Sequence, residues 1–424
     1  MPIDQGGANG YSGMYQPAGP GAVMSGPDGS IYGEHSAFDL DGDGAFDEYD
    51  ADGCGLFNGG LCCSVHQLWV RGDYLLWWTK GFSIPPLVTT STPGTPRADA
   101  GILGLSTTSV LYGDQTVDQS QLSGGRIRAG YWFDCCDTIG IEATYYALGS
   151  ATSNFSANSV QTPILARPFA NLEPPSPAND AELVAYPGLY NGNIQVSSSS
   201  SFQGANLLFR EMLVQDCCYR IDYLAGWRFN RLSENVTVSD FKTVQSGSTG
   251  LAVGTTLSEF DKFANVSTFN GGELGLVANA CRGCFWFETR GTLAIGDTHS
   301  RVNINGQATS TTPSASGTPV VTTTPAGLLA QASNSGGHTL DQFAVIPEFG
   351  ATVGWDITSR LRANVGYTFI YWTGLARPGE QIDTKVNLSQ LSPGGLVGAA
   401  VPKFPGLTSD FWAQGLAFGL AYRF

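Results

Sequence analysis

The sequence of 424 residues predicts an all-β protein, a transmembrane antiparallel up-and-down β-barrel of about ten strands. Three observations support this prediction: a low charge with much glycine, an apolar period of two, and links of alternating length. Only 13% of the residues are charged and 55 are glycine, whereas soluble domains are on average roughly 25% charged. No stretch approaches the roughly 18 uninterrupted apolar residues of a transmembrane helix, which excludes a helical membrane protein.

The charge divides the chain in two. Residues 1–70 contain ten acids and no Lys or Arg, whereas the rest contains the other 26 acids and all 21 bases. We therefore predict an acidic, Gly-rich periplasmic segment with a mostly irregular structure over residues 1–65, and a barrel over residues 66–424. Because no basic patch is present, nucleic acid is excluded as a partner.

The final sixteen residues, SDFWAQGLAFGLAYRF, show the clearest alternation. Its last even-numbered positions are all aromatic or leucine, namely Leu416, Phe418, Leu420, Tyr422 and Phe424. A period of two indicates a strand with one apolar face. The end at Phe424 resembles the terminal strand of bacterial outer-membrane barrels, which predicts the barrel assembly machinery and outer-membrane lipid as partners. Similar alternation covers residues 138–148, 219–230 and 361–372, each long enough to cross a bilayer as a tilted strand.

Ten candidate strands are joined alternately by short and long links. We predict strands at residues 66–79, 122–133, 138–149, 201–214, 218–231, 268–280, 284–296, 339–355, 359–373 and 409–424. The short links lie at 134–137, 215–218, 281–284 and 355–358, and the long links span 80–121, 150–200, 232–267, 297–338 and 374–408. Short periplasmic turns and long outer loops are typical of outer-membrane barrels.

Two details of this topology stay open. Residues 235–244 and 255–267 form either a further hairpin, which makes twelve strands, or an extension of their neighbours. Pro347 cannot donate a hydrogen bond within a strand, which predicts a bulge or break there. The nine Trp fall near strand ends, which favours two aromatic girdles at the membrane interfaces over a soluble β-sandwich.

Three segments resemble a known family. They are LWVRGDYLLWWTKGFSIPPLVTTS at 68–91, FNGGELGL at 269–276 and GYTFIYWTG at 366–374. The chain from about residue 66 to 424 is similar to the putative beta-barrel porin-seven family of bacterial outer-membrane proteins. This resemblance implies the outer membrane of a Gram-negative-type bacterium and a porin-like barrel, and it supplies no catalytic residues.

The parity opposite the apolar face places charged side chains in the lumen. They are Arg71, Asp73, Arg126, Arg128, Glu142, Arg210, Arg220, Asp222, Arg228, Glu273, Glu288, Arg290, Glu348 and Arg362. Eight bases and six acids in a narrow space are expected to pair. A barrel of about eight strands is just filled by side chains. We therefore expect a polar core with a structural role or a narrow conduit that permits limited passive diffusion of solutes.

The acidic segment contains FDLDGDGAFDEYD, which fits a calcium loop of twelve residues. Oxygen ligands fall at the expected positions, from the side chains or the backbone carbonyl of Asp39, Asp41, Asp43, Ala45, Asp47 and Asp50. Gly44 permits the sharp turn that gathers these ligands. Asp50 replaces the usual Glu at the last position, so Ca²⁺ binding is expected to be weaker, and a solvated acidic linker is the alternative.

Eight cysteines fall at turn ends, and we expect them on the periplasmic rim. They are Cys62, Cys63, Cys135, Cys136, Cys217, Cys218, Cys281 and Cys284. Disulfides persist in the periplasm, and bonds between adjacent turns satisfy disulfide geometry better than bonds between sequence neighbours. Metal binding and free thiols are alternatives. Cys54 is left over for a disulfide to an envelope partner.

We predict that the chain is not an enzyme. His299 with Asp297, and His338 with Asp341, could each form a His–Asp base in an outer-membrane hydrolase, but no nucleophile motif accompanies them. The main alternative to a structural or porin-like barrel is a surface adhesin or ligand-binding barrel that acts through loops 150–200 and 297–338, because long loops commonly carry recognition.

Overall fold

A computed structural model describes residues 67–175, 178–315, 317–392 and 394–424. Ten antiparallel strands, numbered in chain order, form one closed ring. They are β1 Leu68–Thr79, β2 Gln121–Trp132, β3 Ile139–Leu148, β4 Tyr190–Gln215, β5 Tyr219–Val244, β6 Thr256–Arg282, β7 Phe285–Thr312, β8 Gly336–Asp356, β9 Leu361–Leu375 and β10 Ser409–Arg423. Each strand pairs with its neighbours in the chain, and β1 pairs with β10. The predicted barrel of ten strands is confirmed.

The strands fall into two length classes. β4 to β8 have 21 to 28 residues, whereas β1, β2, β3, β9 and β10 have 10 to 15. Residues 235–244 and 255–267 therefore extend β5 and β6 and add no hairpin. The long link predicted over residues 232–267 shrinks to residues 245–255, because the alternation of inward and outward side chains continues along both strands.

The outward face carries an apolar belt that ends abruptly. On β7 the large outward side chains Phe287, Leu293 and Ile295 are apolar, and charged or polar ones follow from Asp297. The same change occurs at Gln203, Arg231, Asn270 and Asp341 on the other long strands. An outward apolar band is the surface that a transmembrane barrel presents to lipid. We call the parts of the long strands beyond this band the wall, which comprises residues 190–203, 231–244, 256–270, 297–312 and 336–341.

Three long links fold into a cap at the loop end, which comprises the described residues 80–120, 159–175, 178–189, 376–392 and 394–408. Short strands build it at Phe82–Ile84, Val88–Ser91, Thr108–Tyr112, Gln115–Val117, Leu165–Asn171, Ala178–Ala185 and Lys385–Val386. Ala151–Asn158 and Val320–Thr324 instead pair with β4 and β7. The helices of the described chain are 3₁₀ segments at Arg97–Asp99, Gly247–Thr249, Pro378–Gln381 and Leu388–Leu391. None of them has the length and apolarity to span a bilayer.

Apolar packing joins the cap to the wall. Val236 and Phe263 on the inner face of the wall are fully buried against Leu165 and Val184 of the cap. Burial of such side chains contributes roughly 1.5 to 3 kcal/mol each. The cap is therefore a folded layer over the barrel, and the links that build it are not free loops.

Pro347 does not break β8, so the predicted interruption is wrong on the side that faces β7. Pro347 stays in register opposite Leu293. Pairing with β9, in contrast, extends only as far as Glu348. Beyond it, the Thr373 hydroxyl accepts a hydrogen bond from the Val345 amide (3.0 Å) and donates one to the Val345 carbonyl (3.3 Å). The hydrogen-bond ladder between β8 and β9 thus ends next to Pro347, which has no N–H donor. Beyond that point the Thr373 hydroxyl bonds the backbone of β8.

The Trp residues lie at the two strand ends, but the girdle prediction is wrong for five of the nine. Trp69, Trp77, Trp132, Trp286 and Trp372 share the inward parity, and Trp77 and Trp372 are fully buried. The four Trp on the outward parity are Trp78, Trp227, Trp355 and Trp412. The position of a Trp near a strand end does not show whether it contacts lipid or the lumen, since each strand end has residues on both the outer and the inner face of the barrel.

Candidate functional site

The half of the lumen nearest the short turns contains a layer of ion pairs. All fourteen charged side chains assigned to the lumen from their parity point inward. We call these fourteen residues the ion-pair layer. Each of the eight arginines lies within 4.0 Å of at least one carboxylate, and most of these pairs are almost completely shielded from solvent.

Glu142 on β3 is the centre of this layer. Its carboxylate accepts hydrogen bonds from Arg210 at 3.2 Å and from Arg290, and Arg128 lies 3.5 Å away. Asp222 joins the same group by accepting from Arg210 at 2.5 Å. Arg290 belongs to β7, on the far side of the ring from β3, so this contact crosses the lumen.

Asp73 and Arg228 organise the remaining pairs. Asp73 accepts from Arg71 and Arg126, both at 2.8 Å. Gly419 on β10 makes room for this carboxylate, because a Cβ there would lie 1.9 Å from Asp73 Oδ1. On the other side, Arg228 of β5 binds Glu348 of β8 at 2.6 Å. Paired charges therefore span the lumen in more than one direction.

Above the ion-pair layer, five aromatic rings fill the lumen. We call Trp77, Phe202, Phe269, Trp372 and Phe411 the aromatic layer. All five are at most 2% exposed. The Phe202 ring on β4 lies with its centroid 4.9 Å from that of Phe411 on β10 and 6.4 Å from that of Trp372 on β9. Since these strands face each other across the ring, the aromatic contacts close the lumen.

The cap contacts the barrel through further buried polar groups. Arg377 donates to both carboxylate oxygens of Glu234, at 2.6 and 2.7 Å. The Ser198 hydroxyl on β4 donates to Asp118 at 2.9 Å. Burial raises the pKa of Asp118 to about 6, although this hydrogen bond opposes the shift. These contacts fasten the cap to the loop end of the lumen.

A second buried ionic group lies between cap and wall. Arg167 of the cap donates to Asp240 and Glu259, both at 3.1 Å, and to Asp261. Lys242 pairs with Glu182 beside it. We call these six residues the cap cluster. Burial raises the pKa of Glu259 well above its ordinary value, and the neighbouring carboxylates add to the shift. Burial likewise raises the pKa of Asp240.

The sequence reasoning missed the cap cluster. It treated residues 150–200 and 232–267 as exposed links, so their charges were not assigned to an interior. A signal was nevertheless present: Arg167 is the only base between Arg128 and Arg210. A lone cation within a long, nearly uncharged stretch is a reasonable candidate for a buried partner of distant acids.

Comparison with known proteins assigns the family. Residues 69–424 match the family described as putative beta barrel porin-7. The chain belongs to this family. No curated protein sequence matches it. Fold and family are therefore those of a bacterial outer-membrane barrel.

Three solved structures that are similar to this porin-7 family member are distant from it. The outer-membrane protease OmpT from Escherichia coli has 10% identity and a TM-score of 0.35, with 86% of this chain and 99% of that chain covered. A Pseudomonas aeruginosa FadL homologue has 7% identity and a TM-score of 0.21, with 85% and 90% covered. The P. putida toluene transporter TodX has 6% identity and a TM-score of 0.18, with 85% and 91% covered. None is similar enough for its activity to bear on this chain.

Six cysteines of this family member lie at the turn ends, and all are exposed. They are Cys135, Cys136, Cys217, Cys218, Cys281 and Cys284. No S–S bond joins any two of these six. The Sγ atoms of Cys217 and Cys218 lie 3.6 Å apart, which exceeds the roughly 2.0 Å of a disulfide. Cys54, Cys62, Cys63 and the predicted calcium loop lie outside the described residues.

The histidines pair differently from the expectation. His299 Nδ1 lies 2.5 Å from the Asp341 carboxylate and not beside that of Asp297, and Arg301 donates to His299 Nε2 at 3.0 Å. This group lies on the outward face of the wall. His338 Nε2 lies 2.8 Å from the Asn334 carbonyl, and its ring stacks on Phe404. The two proposed His–Asp pairs are therefore not formed.

Proposed function

We propose that this chain is a structural outer-membrane barrel that exposes its wall and cap and permits at most limited passive diffusion. The single observation that carries the proposal is that side chains from opposite strands meet across the lumen in both layers. A path for solutes would require these contacts to separate. Paired buried charges and packed rings both resist separation, because each group would lose its partner.

Conductance across a planar lipid bilayer tests this proposal. We expect the full chain to give no steps, or only small ones, in 1 M KCl. A Phe202→Ala and Trp372→Ala double variant removes two rings of the aromatic layer and is expected to conduct more. The matched control is Trp227→Ala, which truncates an outward ring. Large open steps from the unmodified protein would contradict a closed lumen.

The orientation is part of the proposal: short turns and N-terminus in the periplasm, cap and wall outside. The asymmetry between turns of two to six residues and long links supports it. A protease site inserted within residues 313–317 should be cut in intact cells. A site inserted at residues 357–360 should be cut only after the outer membrane is opened, and the reverse result would invert the orientation.

If the chain is a surface adhesin, the ligand-binding surface in this fold differs from the two loops expected from the sequence. Residues 190–200 and 297–312 belong to wall strands, so a ligand would meet a rigid sheet and the cap instead of two free loops. Adhesion of cells should then depend on outward wall residues such as Asn193 and Asn303. Deletion of residues 313–318 should leave adhesion unchanged, and the opposite result would restore the loop hypothesis.

Calcium binding by Asp39, Asp41, Asp43, Ala45, Asp47 and Asp50 stays a proposal that rests on sequence spacing. Calorimetry of the full chain with CaCl₂ is expected to give saturable heat that an Asp41→Asn and Asp43→Asn double variant loses. Equal heat from both proteins would remove the proposal.

Disulfide formation at the rim, and a disulfide to an envelope partner through Cys54, also stay proposals. Oxidising compartments favour such bonds. Electrophoresis of cell envelopes without reductant should show a mobility that changes on reduction. An unchanged mobility would contradict both bonds.

We also propose that the chain has no catalytic activity. His299 pairs with Asp341 beside Arg301 on the outward face of the wall, and His338 is bound to the Asn334 carbonyl. A hydrolase activity towards peptide or lipid ester substrates that is lost in a His299→Ala and His338→Ala double variant would overturn this proposal.

A further inference from the structure

The lumen opens at the turn end into a cavity of about 320 Å³. Guanidinium groups from six of the ring strands line this mouth. They are Arg71, Arg128, Arg210, Arg220, Arg362 and Arg423. The acids that line it are Asp137, Asp216 and Glu288. The cavity is therefore richer in fixed positive charge than in negative charge.

Indole rings complete the lining. Trp69, Trp132 and Trp286 face the same cavity. The guanidinium carbons of Arg210 and Arg220 lie 5.2 and 4.6 Å from the centre of the Trp132 ring. Such cation–π contacts hold a guanidinium in place beside the ring. Arg210 donates to Glu142 and Asp222, and Arg220 donates to Asp222. The mouth thus combines flat apolar surfaces with a fixed array of guanidinium charges.

One of the guanidinium donors has no partner. Arg71 Nη2 is buried and makes no hydrogen bond within the described structure. Arg71 is 4% exposed. An unsatisfied buried donor on a charged group is costly, and an arginine cannot relieve the cost by losing its proton. A bound anion would satisfy this donor.

Arg423 is the least engaged of the six. It lies at the end of β10, where its side chain is exposed, and no carboxylate of the described residues forms an ion pair with it. Arg362, in contrast, pairs with Asp356 at 2.6 Å. Arg423 is therefore free to reorient towards a ligand without breaking a pair of the ion-pair layer.

We propose that the mouth binds a small organic anion, a carboxylate or phosphate monoester that carries a flat apolar ring. The guanidinium fork matches both oxyanions, and the indole faces match the ring. The volume falls at the lower end of the roughly 300 to 1,000 Å³ of small-molecule sites. Because the cavity opens at the turn end, the anion enters from that side and does not need to pass the aromatic layer.

Calorimetry of the full chain in neutral detergent micelles tests this assignment with phenyl phosphate and benzoate as probes. Both should bind saturably, and phenyl phosphate should bind more tightly because it carries more charge. Benzyl alcohol keeps the ring without the charge, and benzylammonium reverses the charge. We expect binding at least tenfold weaker for the alcohol and no saturable binding for the cation.

Two arginine variants locate the site. Arg423→Gln should weaken phenyl phosphate binding at least fivefold, whereas Arg360→Gln, an exposed turn-end arginine outside the cavity, should leave it unchanged. Unchanged thermal unfolding of both variants shows that they fold. The proposal is overturned if neither anion binds, if benzyl alcohol binds equally well, or if the two variants behave alike. Since the test measures binding, its outcome is independent of conductance.

Discussion

The barrel contains two buried ionic groups of opposite composition. The ion-pair layer has eight arginines and six carboxylates, whereas the cap cluster has two cations and four carboxylates. Both lie at positions from which water is largely excluded. They differ in how the surplus charge is accommodated.

In the ion-pair layer the surplus is cationic and lies at an opening. Each of its carboxylates has an arginine partner, and the extra guanidiniums border the mouth. In the cap cluster the surplus is anionic and lies largely out of contact with solvent, with the Glu182 side chain 25% exposed. There, burial and neighbouring carboxylates raise the pKa of Glu259 well above its ordinary value, which favours the protonated form of this group.

The contrast follows from the chemistry of the two side chains. A carboxylate can be buried without a partner by taking up a proton, at a cost that its pKa shift measures. An arginine stays charged at every pH a protein experiences. A surplus of arginine must therefore remain near solvent or near an anion, whereas a surplus of acid can be enclosed and becomes sensitive to pH.

The largest expected effect is the loss of the central cation of the cap cluster. Arg167→Leu leaves three carboxylates buried without their shared partner. Breaking a buried ion pair by removing one side costs about 3 to 5 kcal/mol. Hydrogen exchange of residues 164–171, followed by mass spectrometry, should show the cap opening while β2 stays protected.

The matched control for this variant is Arg97→Leu, which removes an exposed arginine from the same cap. Its exchange should match that of the unmodified protein. If the two variants were equally protected, Arg167 would not hold the cap, and the distinction between the two ionic groups would lose its main support.

A smaller effect is expected from the centre of the ion-pair layer. Glu142→Gln removes the charge shared by Arg210, Arg290 and Arg128. Arg210 keeps Asp222 and Arg128 keeps Glu288. We therefore expect about 2 to 3 kcal/mol of destabilisation, since the remaining pairs limit the cost of the unsatisfied donors. Unfolding in urea, measured by tryptophan fluorescence, would report it, and a loss larger than that of Arg167→Leu would reverse the ranking.

Much of the barrel could be predicted because lipid and water impose a simple rule. In a closed sheet, parity alone decides whether a side chain faces lipid or lumen. The short strands, such as β1 and β10, therefore begin and end close to their predicted residues. The same rule applied to Trp77 and Trp372 would have placed them inside, but their position near strand ends suggested girdles instead.

Contacts between distant segments could not be predicted this way. Glu142 and Arg290 are 148 residues apart, and no local pattern pairs them. Links rich in Ser, Thr and Pro look exposed, so the cap and its cluster were missed. The wall was predicted only in part, as the strand extension that is one of two alternatives for residues 235–244 and 255–267, because its outward side chains are polar and the apolar alternation on β5 and β6 weakens beyond the belt.

A modest, pH-dependent gain is expected from Glu259→Gln. In the unmodified protein the pKa of Glu259 is raised on folding, so the folded state keeps a proton that the unfolded chain releases above about pH 4.5. Stability therefore declines as pH rises from that value towards the folded pKa. Gln replaces the protonated form and still accepts from Arg167. We expect a gain of about 1 kcal/mol at pH 8 and none at pH 4.

The measurement is thermal unfolding of both proteins between pH 4 and pH 8. Asp99→Asn, an exposed acid of the cap, provides the control and should follow the unmodified curve. A Glu259→Gln curve parallel to that of the unmodified protein would mean that Glu259 is ionised throughout, and the cap cluster would then tolerate its full negative surplus.

The smallest effect is expected for an ion pair outside both groups. Asp341 and His299 are 64% and 36% exposed on the outer wall, although their atoms approach to 2.5 Å. Exposed pairs are screened by water and typically contribute between 0 and about 1 kcal/mol. Asp341→Asn should thus change the free energy of unfolding by less than about 0.5 kcal/mol. A loss comparable to that of Glu142→Gln would show that short distance, and not burial, determines how strongly ion pairs stabilise this barrel.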